Sequence, residues 1–328
     1  MLELTIENAS EYLSPRPEAC TAGPWRISAL GGGVSNTVLL AEGVGRKWVL
    51  KQSLGKLRVK EDWFADRDRI HRECSAMVML KPLLPGGSVP AVIFHDMENC
   101  IYAMEAVDGA RDWKSLLLGG SIDPEAASEA GRILAAQMRA SWQSPEWEEK
   151  FGDQGCFDQL RLDPYYRFTA ARHPDLAEAF ESCIASCRRA RQSLVHGDFS
   201  PKNLLVRGSQ MTLIDFEVIH YGDPAFDVAF LLNHLLLKSV HRPECGRRYA
   251  GCGSAFWKEL ESGYPGDARE LLQSTMKHLG CLFLARVDGK SPAEYLTASG
   301  REQVRRLARE MILEPASEVE EAFARVLP

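Results

Sequence analysis

Short apolar runs fill the first third of the chain and predict strands. The runs lie at residues 25–30, 38–41, 47–52, 89–95 and 100–104, and a glycine-rich turn at 31–36 separates the first two. Apolar residues recur at helical spacing between residues 66 and 80, so one helix is expected between the third and fourth strands. This part of the chain therefore predicts a small antiparallel sheet with one helix against it.

Beyond residue 109 the apolar spacing becomes helical. Asp123-Pro124-Glu125 and Asp223-Pro224 have the residues of helix starts, because Asp caps, Pro suits the first turn, and an acid favours the positive end. Helices are predicted at 123–141, 174–191, 223–237, 253–262, 268–286, 301–313 and 317–326. Residues 143–166 show no regular pattern; they form either part of an acceptor site or a packed surface loop. The fold class is therefore α+β.

Composition limits the range of possible functions. The chain has 328 residues, a net charge of −6 and 45% hydrophobic residues, enough for one two-lobed unit or two domains. No basic block indicates nucleic acid, no apolar run is long enough to span a bilayer, and no obligatory protein partner is indicated. The nine cysteines lack a repeated spacing and no signal peptide is visible, so free thiols and a cytoplasmic location are expected.

Three polar residues around a predicted hairpin are the strongest candidates for chemistry. Asp198 follows a turn at Gly197, Asn203 precedes the strand 204–206, and Asp215 follows the return strand 211–214. A hairpin brings its ends together, so Asn203 and Asp215 are expected to face one ion. Phosphoryl transfer to a hydroxyl uses a proton acceptor and oxygen ligands for Mg²⁺, which this set supplies. The alternative is that single acids at loop tips are solvated or capping.

This segment resembles the aminoglycoside phosphotransferase and choline kinase superfamily, small-molecule kinases of protein-kinase-like fold. His196-Gly197-Asp198 stands where protein kinases have His-Arg-Asp, and Ile214-Asp215-Phe216-Glu217 stands where they have Asp-Phe-Gly. The resemblance implies a bilobal fold, with a small antiparallel-sheet nucleotide lobe at 1–105 and a larger helical lobe at 106–328. It implies ATP and Mg²⁺ as cofactors, with Asp198 as base, Lys202 neutralising the γ-phosphate, and Asn203 and Asp215 as metal ligands.

The same resemblance assigns a nucleotide site to the first lobe. The glycine-rich turn would cover the phosphates and Lys51 would contact them. Glu73 would form an ion pair with Lys51, and Glu61 is the alternative partner. The resemblance adds Arg58 and Trp63, which are similar to residues of methylthioribose kinases. Those two either shape the entrance or belong to a solvated loop. The complete set of expected nucleotide contacts is Gly32, Gly33, Ser35, Asn36, Lys51, Glu73, Met104, Glu105 and Val107.

Further polar residues have two interpretations each. The resemblance makes Asp227 a support for the catalytic loop, and His196 either a packed histidine or a metal ligand or base. Arg286 and Asp288 either line the acceptor site or compensate a helix dipole. Acids and bases nearly balance beyond residue 231, which argues against a polycationic aminoglycoside as the acceptor.

The expected function is an ATP-dependent phosphotransferase acting on a small-molecule hydroxyl that is aminoglycoside-, sugar- or amino-alcohol-like. Methylthioribose kinases resemble the 51–73 region but typically lack an Asn at position 203. The alternatives are a catalytically silent nucleotide-binding module, against which the intact Lys51, Asp198, Asn203 and Asp215 argue, and a metallohydrolase built on His196 and Asp198.

Overall fold

A computed structural model describes residues 2–20, 23–31, 35–56 and 66–327 of the chain. The predictions for Gly32, Gly33, Arg58, Glu61 and Trp63 concern residues outside these described ranges. Within the described part, no helix has the length and apolar character needed to cross a membrane.

The first part of the chain folds into a five-stranded antiparallel sheet with strand order β1-β2-β3-β5-β4. A short helix, α1 at Ala9–Leu13, precedes β1 at Arg26–Ala29, β2 at Asn36–Gly43 and β3 at Arg46–Ser53. Helix α2 at Arg69–Leu80 follows, then β4 at Val92–Asp96 and β5 at Ile101–Glu105. The predicted strands and helix are confirmed, although α2 begins three residues later than its pattern suggested.

The sheet separates two hydrophobic cores. Trp48 and Phe94 belong to a small core that also buries Leu13 of α1. On the other face, Ile70, Met77 and the remaining apolar side of α2 join the large core of the molecule. Strand β3 lies in the middle of the sheet, so even a polar residue on this strand can be shielded from solvent.

Helices dominate the second part of the chain. The order is β6 at Arg111–Asp112, α3 at Trp113–Leu118, α4 at Pro124–Ser141, α5 at Pro145–Phe151, α6 at Gly155–Phe157, α7 at Phe168–Arg172, α8 at Ala177–Arg189, β7 at Ser193–Val195, β8 at Leu204–Arg207, β9 at Gln210–Leu213, β10 at His220–Gly222, α9 at Ala225–His241, α10 at Gly246–Gly263, α11 at Ala268–Asp288, α12 at Ala298–Leu313 and α13 at Val319–Ala324. Helix α9 lies at the centre and all its residues from Ala225 to Val240 are buried.

The prediction that residues 143–166 are irregular was wrong. Helix α5 begins at Pro145 with acids in its first turn, as helix N-termini favour. Between α6 and α7 the backbone continues as a wide helix, Asp158–Arg167, with i→i+5 hydrogen bonds and Pro164 inside it. Such helices are rare, and their apolar spacing differs from that of an α-helix, so a search at 3.6 residues per turn misses them.

The predicted hairpin is confirmed, and Asp215, just after its second strand, contacts Lys51 of the five-stranded sheet. Strands β8 and β9 pair from Leu204–Leu213 to Arg207–Gln210, and Gly208 takes a left-handed turn with φ of 60°. Strand β6 adds to the free edge of β8, and β7 pairs with β10. The chain leaves β7 at Val195, directly before Asp198.

Candidate active site

The backbone of the loop after β7 is fixed by a buried carboxylate. Asp227, in the first turn of α9, accepts hydrogen bonds from the backbone N–H groups of His196 (2.6 Å) and Gly197 (2.9 Å). Gly197 has a φ of 75°, and a Cβ there would lie 2.9 Å from the carbonyl oxygen of Val218. Burial raises the pKa of Asp227 to about 7, although both N–H donors oppose the shift. The expected contact between Asp227 and the loop backbone is confirmed.

Both ring nitrogens of His196 are used inside the protein. Nδ1 accepts from the backbone N–H of Asp198 (3.2 Å), and Nε2 lies 3.1 Å from the carbonyl oxygen of Ile214, to which it donates. Burial lowers the pKa of His196 to about 4, so the ring is neutral at pH 7. His196 is thus a packed, hydrogen-bonded residue, and neither nitrogen is available to a metal ion.

Asp198 is only 3% exposed and its Oδ2 meets two cations. Arg161 Nη2 lies 3.0 Å away and Lys202 Nζ lies 2.9 Å away. Although burial opposes ionisation, these two charges bring the pKa of Asp198 below its usual value. Arg161 also donates from Nε to the carbonyl oxygen of Gly197 (2.6 Å), so it fixes both the loop and its carboxylate.

Asn203 and Asp215 occupy adjacent positions at the ends of the hairpin. The Asn203 side chain donates from Nδ2 to the carbonyl oxygen of Asp198 (2.9 Å), and its own carbonyl accepts from Ile214 N–H (3.0 Å). Asp215 follows directly, with a φ of 70° that a non-glycine residue rarely adopts. The hairpin thus brings the amide of Asn203 and the carboxylate of Asp215 to the same side of the catalytic loop.

Lys51, on β3, is buried between two carboxylates from different parts of the chain. Its Nζ lies 2.7 Å from Glu73 Oε1 of α2 and also forms an ion pair with Asp215. Glu73 Oε1 additionally accepts from Phe216 N–H (3.0 Å). Although burial opposes ionisation, Lys51 and Lys202 lower the pKa of Asp215. The expected Lys51–Glu73 pair is therefore present, and it reaches Asp215 directly.

The side chains of Ser35 and Asn36, at the end of the glycine-rich turn, contact a carboxylate. Ser35 Oγ and Asn36 Nδ2 each donate to the Glu217 carboxylate at 2.8 Å, and Arg69 Nε lies 3.2 Å from it. Buried Glu217 needs donors, and these side chains supply them. The side-chain donors of Ser35 and Asn36 are therefore engaged within the protein.

The hinge after β5 offers backbone groups to the cleft. Met104 is buried and Glu105 is exposed. Ala106 N–H donates to Lys47 O (2.9 Å), whereas the N–H of Val107 has no acceptor among the residues that the structure describes. A free backbone donor at a hinge can pair with a flat heteroaromatic ligand.

Arg286 and Asp288, both near the end of α11, point to different neighbours. Asp288 accepts from Arg305 and lies 2.8 Å from His173 Nε2, so it does not line the cleft. Arg286 Nη1 lies 3.3 Å from Tyr165 Oη, and Arg161 Cζ lies 5.9 Å from the centre of the same ring. The acceptor-site interpretation therefore fits Arg286 alone.

Sequence reasoning missed two residues of this site. Arg161 lies in the wide helix, where the sequence offers no motif that would single it out. Glu217 was visible as the residue that replaces the glycine of Asp-Phe-Gly, and the nearby Ser35-Asn36 pair supplies complementary donors.

Comparison with known proteins finds matches over much of the chain. A family model described as "Phosphotransferase enzyme family" matches residues 26–250. Methylthioribose kinase of Escherichia coli O45:K1 (strain S88 / ExPEC) is 26% identical over 275 residues, covering 73% of this chain and 65% of that protein. The chain thus spans somewhat less than two thirds of that relative's length.

Solved structures show similarity in fold over nearly the whole chain. A choline/ethanolamine kinase family protein from Mesorhizobium loti has a TM-score of 0.58 at 15% identity, covering 98% of both chains. The streptomycin-ATP-APH(2")-IIa ternary complex has a TM-score of 0.52 at 16% identity, covering 98% of this chain and 99% of that one. The predicted α+β, bilobal kinase-like fold is confirmed.

Proposed function

Because the chain belongs to the phosphotransferase enzyme family, we propose that it is a kinase that transfers the γ-phosphate of ATP to a hydroxyl group of a small molecule. The observation that supports this best is the continuous contact from Glu73 through Lys51 to Asp215, beside the loop that holds Asp198 and Asn203. Under this proposal, residues 1–105 form the nucleotide lobe and 106–328 the acceptor lobe.

The donor set of the hairpin fits Mg²⁺. The Asn203 amide oxygen and the Asp215 carboxylate are hard oxygen ligands, and Mg²⁺ binds few protein ligands while water and phosphate complete its shell. Bound there, Mg²⁺ would neutralise charge on the transferring phosphoryl group. The low pKa of Asp215 keeps this ligand ionised at pH 7.

The nucleotide would lie between the sheet and the hairpin. Lys51 would contact the α and β phosphates of the nucleotide. The backbone N–H groups of the glycine-rich turn, which includes Gly32 and Gly33, would cover these phosphates. The N–H of Val107 would pair with adenine. Met104 and Glu105 would contribute to the wall of the adenine pocket. The ion pairs of Lys51 fix its position before any ligand arrives.

Asp198 would orient the acceptor hydroxyl and take its proton. Its lowered pKa means that it is ionised at pH 7, which a proton acceptor requires. Arg161 holds the carboxylate on one side, and half-exposed Lys202 can turn toward the γ-phosphate. Positioning and charge stabilisation, rather than a strong base, carry most of the rate in phosphoryl transfer.

A coupled assay of ADP release with pooled hydroxyl compounds, followed by mass detection of the phosphorylated product, tests the proposal. The pools should contain methylthioribose, sugars, amino alcohols and aminoglycosides. We expect one class to be phosphorylated and Asp198→Asn to lower kcat by about a thousandfold while ATP still binds. Asp163→Asn, a more exposed acid of the same region paired with Lys290, serves as the control and should retain full activity.

Retained turnover in Asp198→Asn would refute the role of Asp198 as base. ATP binding without transfer to any pool would favour the silent nucleotide-binding module instead. Tightly bound zinc or iron would favour a metallohydrolase.

A further inference from the structure

A row of cations leads away from the candidate base into the helical lobe. Arg161 binds Asp198, and its Cζ lies 5.9 Å from the centre of the Tyr165 ring. On the same ring, Arg286 Cζ lies at 5.8 Å, and Arg286 also donates to Ser291 Oγ (2.9 Å). Tyr165 therefore lies close to both Arg161, which binds Asp198, and a second cation, Arg286 of α11.

Lys238 on α9 is a third cation, and it is completely buried. Its Nζ donates to the carbonyl oxygen of His234 in its own helix (3.1 Å) and lies 5.7 Å from the centre of the Tyr295 ring. No carboxylate forms an ion pair with Lys238, Lys114 or Arg286 in the described part of the chain. A buried amine without a carboxylate loses its proton more readily, whereas a bound anion would keep it charged and pair with it.

These cations lie close enough to influence one another. Burial, together with the charges of Lys114 and Arg286, lowers the pKa of Lys238 to about 7, and the charge of Asp112 acts in the opposite direction. Burial lowers the pKa of His234, and the positive charges of Lys238, Arg286, Lys202 and Lys114 act in the same direction. Asp112 is occupied in capping α3, where it accepts from the backbone N–H and hydroxyl of Ser115.

Two buried polar atoms beside these cations also lack partners. Arg286 Nε and Tyr295 Oη are shielded from solvent and form no hydrogen bond with any described residue. Both can donate. Buried donors are nearly always satisfied in native proteins, so their presence next to surplus positive charge indicates a ligand that accepts.

We propose that the acceptor of this kinase carries an oxyanion, a carboxylate or a phosphate monoester, in addition to its reactive hydroxyl, and that Lys238 and Arg286 bind that group. The inference rests on the proposed function. With the hydroxyl at Asp198, the anionic end of the acceptor would lie beyond Tyr165, near Tyr295. Charge-assisted hydrogen bonds to a carboxylate or phosphate are the strongest that these side chains form.

The same charges disfavour other acceptors. A polycationic aminoglycoside or a quaternary ammonium alcohol would place positive charge against several cations of the protein, which costs binding energy. A neutral sugar would offer Lys238 no anion and would therefore gain no charge-assisted hydrogen bond from it. Negative charge on the acceptor therefore distinguishes this site from the acidic pocket that a polycationic substrate needs.

Direct binding measurements with matched compounds test the inference. The probes are glycerol, glycerate and glycerol 3-phosphate, then glucose, gluconate and glucose 6-phosphate, with choline and kanamycin as cations. Each is titrated by calorimetry into the full chain, with and without Mg²⁺ and a non-hydrolysable ATP analogue. We expect the anionic member of a set to bind about tenfold more tightly than its neutral parent. Comparing carboxylate with phosphate identifies which oxyanion is preferred.

Variants connect that preference to the named residues. Lys238→Met keeps a linear side chain of similar length, and Arg286→Gln keeps a donor, so both are expected to fold. Each should reduce the anion preference about tenfold and leave the affinity for Mg²⁺·ATP unchanged. Lys277→Met removes a charge from an exposed position of α11 and should change neither property.

The two proposals fail separately. If the chain does not bind Mg²⁺·ATP, the proposed function is wrong, while the titrations without nucleotide still measure anion binding. If neutral or cationic probes bind as well as anions, or no probe binds at all, the inference is wrong. An anion preference that survives in both Lys238→Met and Arg286→Gln also overturns it.

Discussion

Three aspartates around the catalytic loop show how neighbouring groups assign different tasks to one residue type. Asp198 and Asp215 meet cations, so their pKa values fall and both are ionised at pH 7. Among the described residues, Asp227 accepts hydrogen bonds from backbone N–H groups alone, and burial raises its pKa to about 7. The first two can act in chemistry and charge neutralisation, whereas Asp227 supports the loop.

Motif spacing predicts the active residues and misses their partners. Asn203 and Asp215 were predictable as neighbours because a hairpin brings its ends together. Asp198 was singled out by its place after the turn at Gly197, and the family resemblance implied the Lys51–Glu73 pair. Arg161 could not be predicted, since its contact with Asp198 spans 37 positions and depends on how a wide helix packs. Long-range charge pairs of this kind need the tertiary structure.

Removing the Lys51 charge should destabilise the protein even without ligand. In Lys51→Met, Glu73 would keep a buried carboxylate without its cation, so we expect the free energy of unfolding to fall by about 3 kcal/mol. Lys47→Met, on the same strand but exposed, should change it by less than about 0.5 kcal/mol. Urea unfolding measures both, and equal stabilities of the two variants would contradict the account.

His220 should contribute to acid sensitivity. Burial lowers its folded-state pKa from 6.5 to about 4, so the folded protein binds fewer protons than the unfolded chain at intermediate pH. Stability is therefore lost as the pH falls from about 6.5 toward 4, by about 2 kcal/mol at about pH 5. In His220→Asn, the free energy of unfolding should therefore fall by about 2 kcal/mol less between neutral pH and pH 5 than in the unmodified protein. Parallel urea midpoints of the two proteins against pH would exclude the assignment.

At the scale of the elements, a glycine without a side chain allows two helices to approach each other closely. Gly131 of α4 faces α10, and a Cβ at Gly131 would lie 2.4 Å from the carbonyl oxygen of Phe256. The sequence predicted α4 from its start at Asp123 and its apolar face, and it predicted part of α10. It did not predict that these two helices touch through glycine, because periodicity indicates which face is buried and not its partner.

A pair of glycine substitutions tests this close approach. Gly131→Ala should lower stability by about 1–3 kcal/mol, because the added methyl group forces the helices apart. Gly251→Ala in α10 is the matched change at an exposed position with no atom within 4 Å of the new Cβ. There the substitution should raise stability by about 0.5–1 kcal/mol through helix propensity. Thermal and urea unfolding report the sign of each effect, and a stabilising Gly131→Ala would refute the packing.

At the scale of the whole molecule, Glu217 connects the two parts of the chain. It follows Asp215-Phe216 in the helical part and binds Ser35, Asn36 and Arg69 of the sheet part. The end of the glycine-rich turn is therefore attached to the segment that carries a proposed Mg²⁺ ligand. The bilobal fold was predictable from the family resemblance, whereas this connection was not, because its residues lie 148 to 182 positions from Glu217 along the chain.

Cutting this connection should affect stability and nucleotide binding together. Glu217→Ala removes a buried carboxylate from Arg69, so we expect about 3 kcal/mol lower stability and weaker binding of Mg²⁺·ATP. Glu294→Ala, at an exposed position of the helical part, should leave both unchanged. Unchanged affinity for Mg²⁺·ATP in Glu217→Ala would show that the turn does not depend on Glu217.

The most direct test of the site is the dependence of ATP binding on Mg²⁺. Calorimetric titration of ATP into the full chain, with Mg²⁺ and with a chelator, should show about tenfold or more tighter binding with the metal. Asp215→Asn should remove most of that difference, while Asp163→Asn should keep it. Equal affinity with and without Mg²⁺ in the unmodified protein, or an undiminished Mg²⁺ effect in Asp215→Asn, would contradict the account.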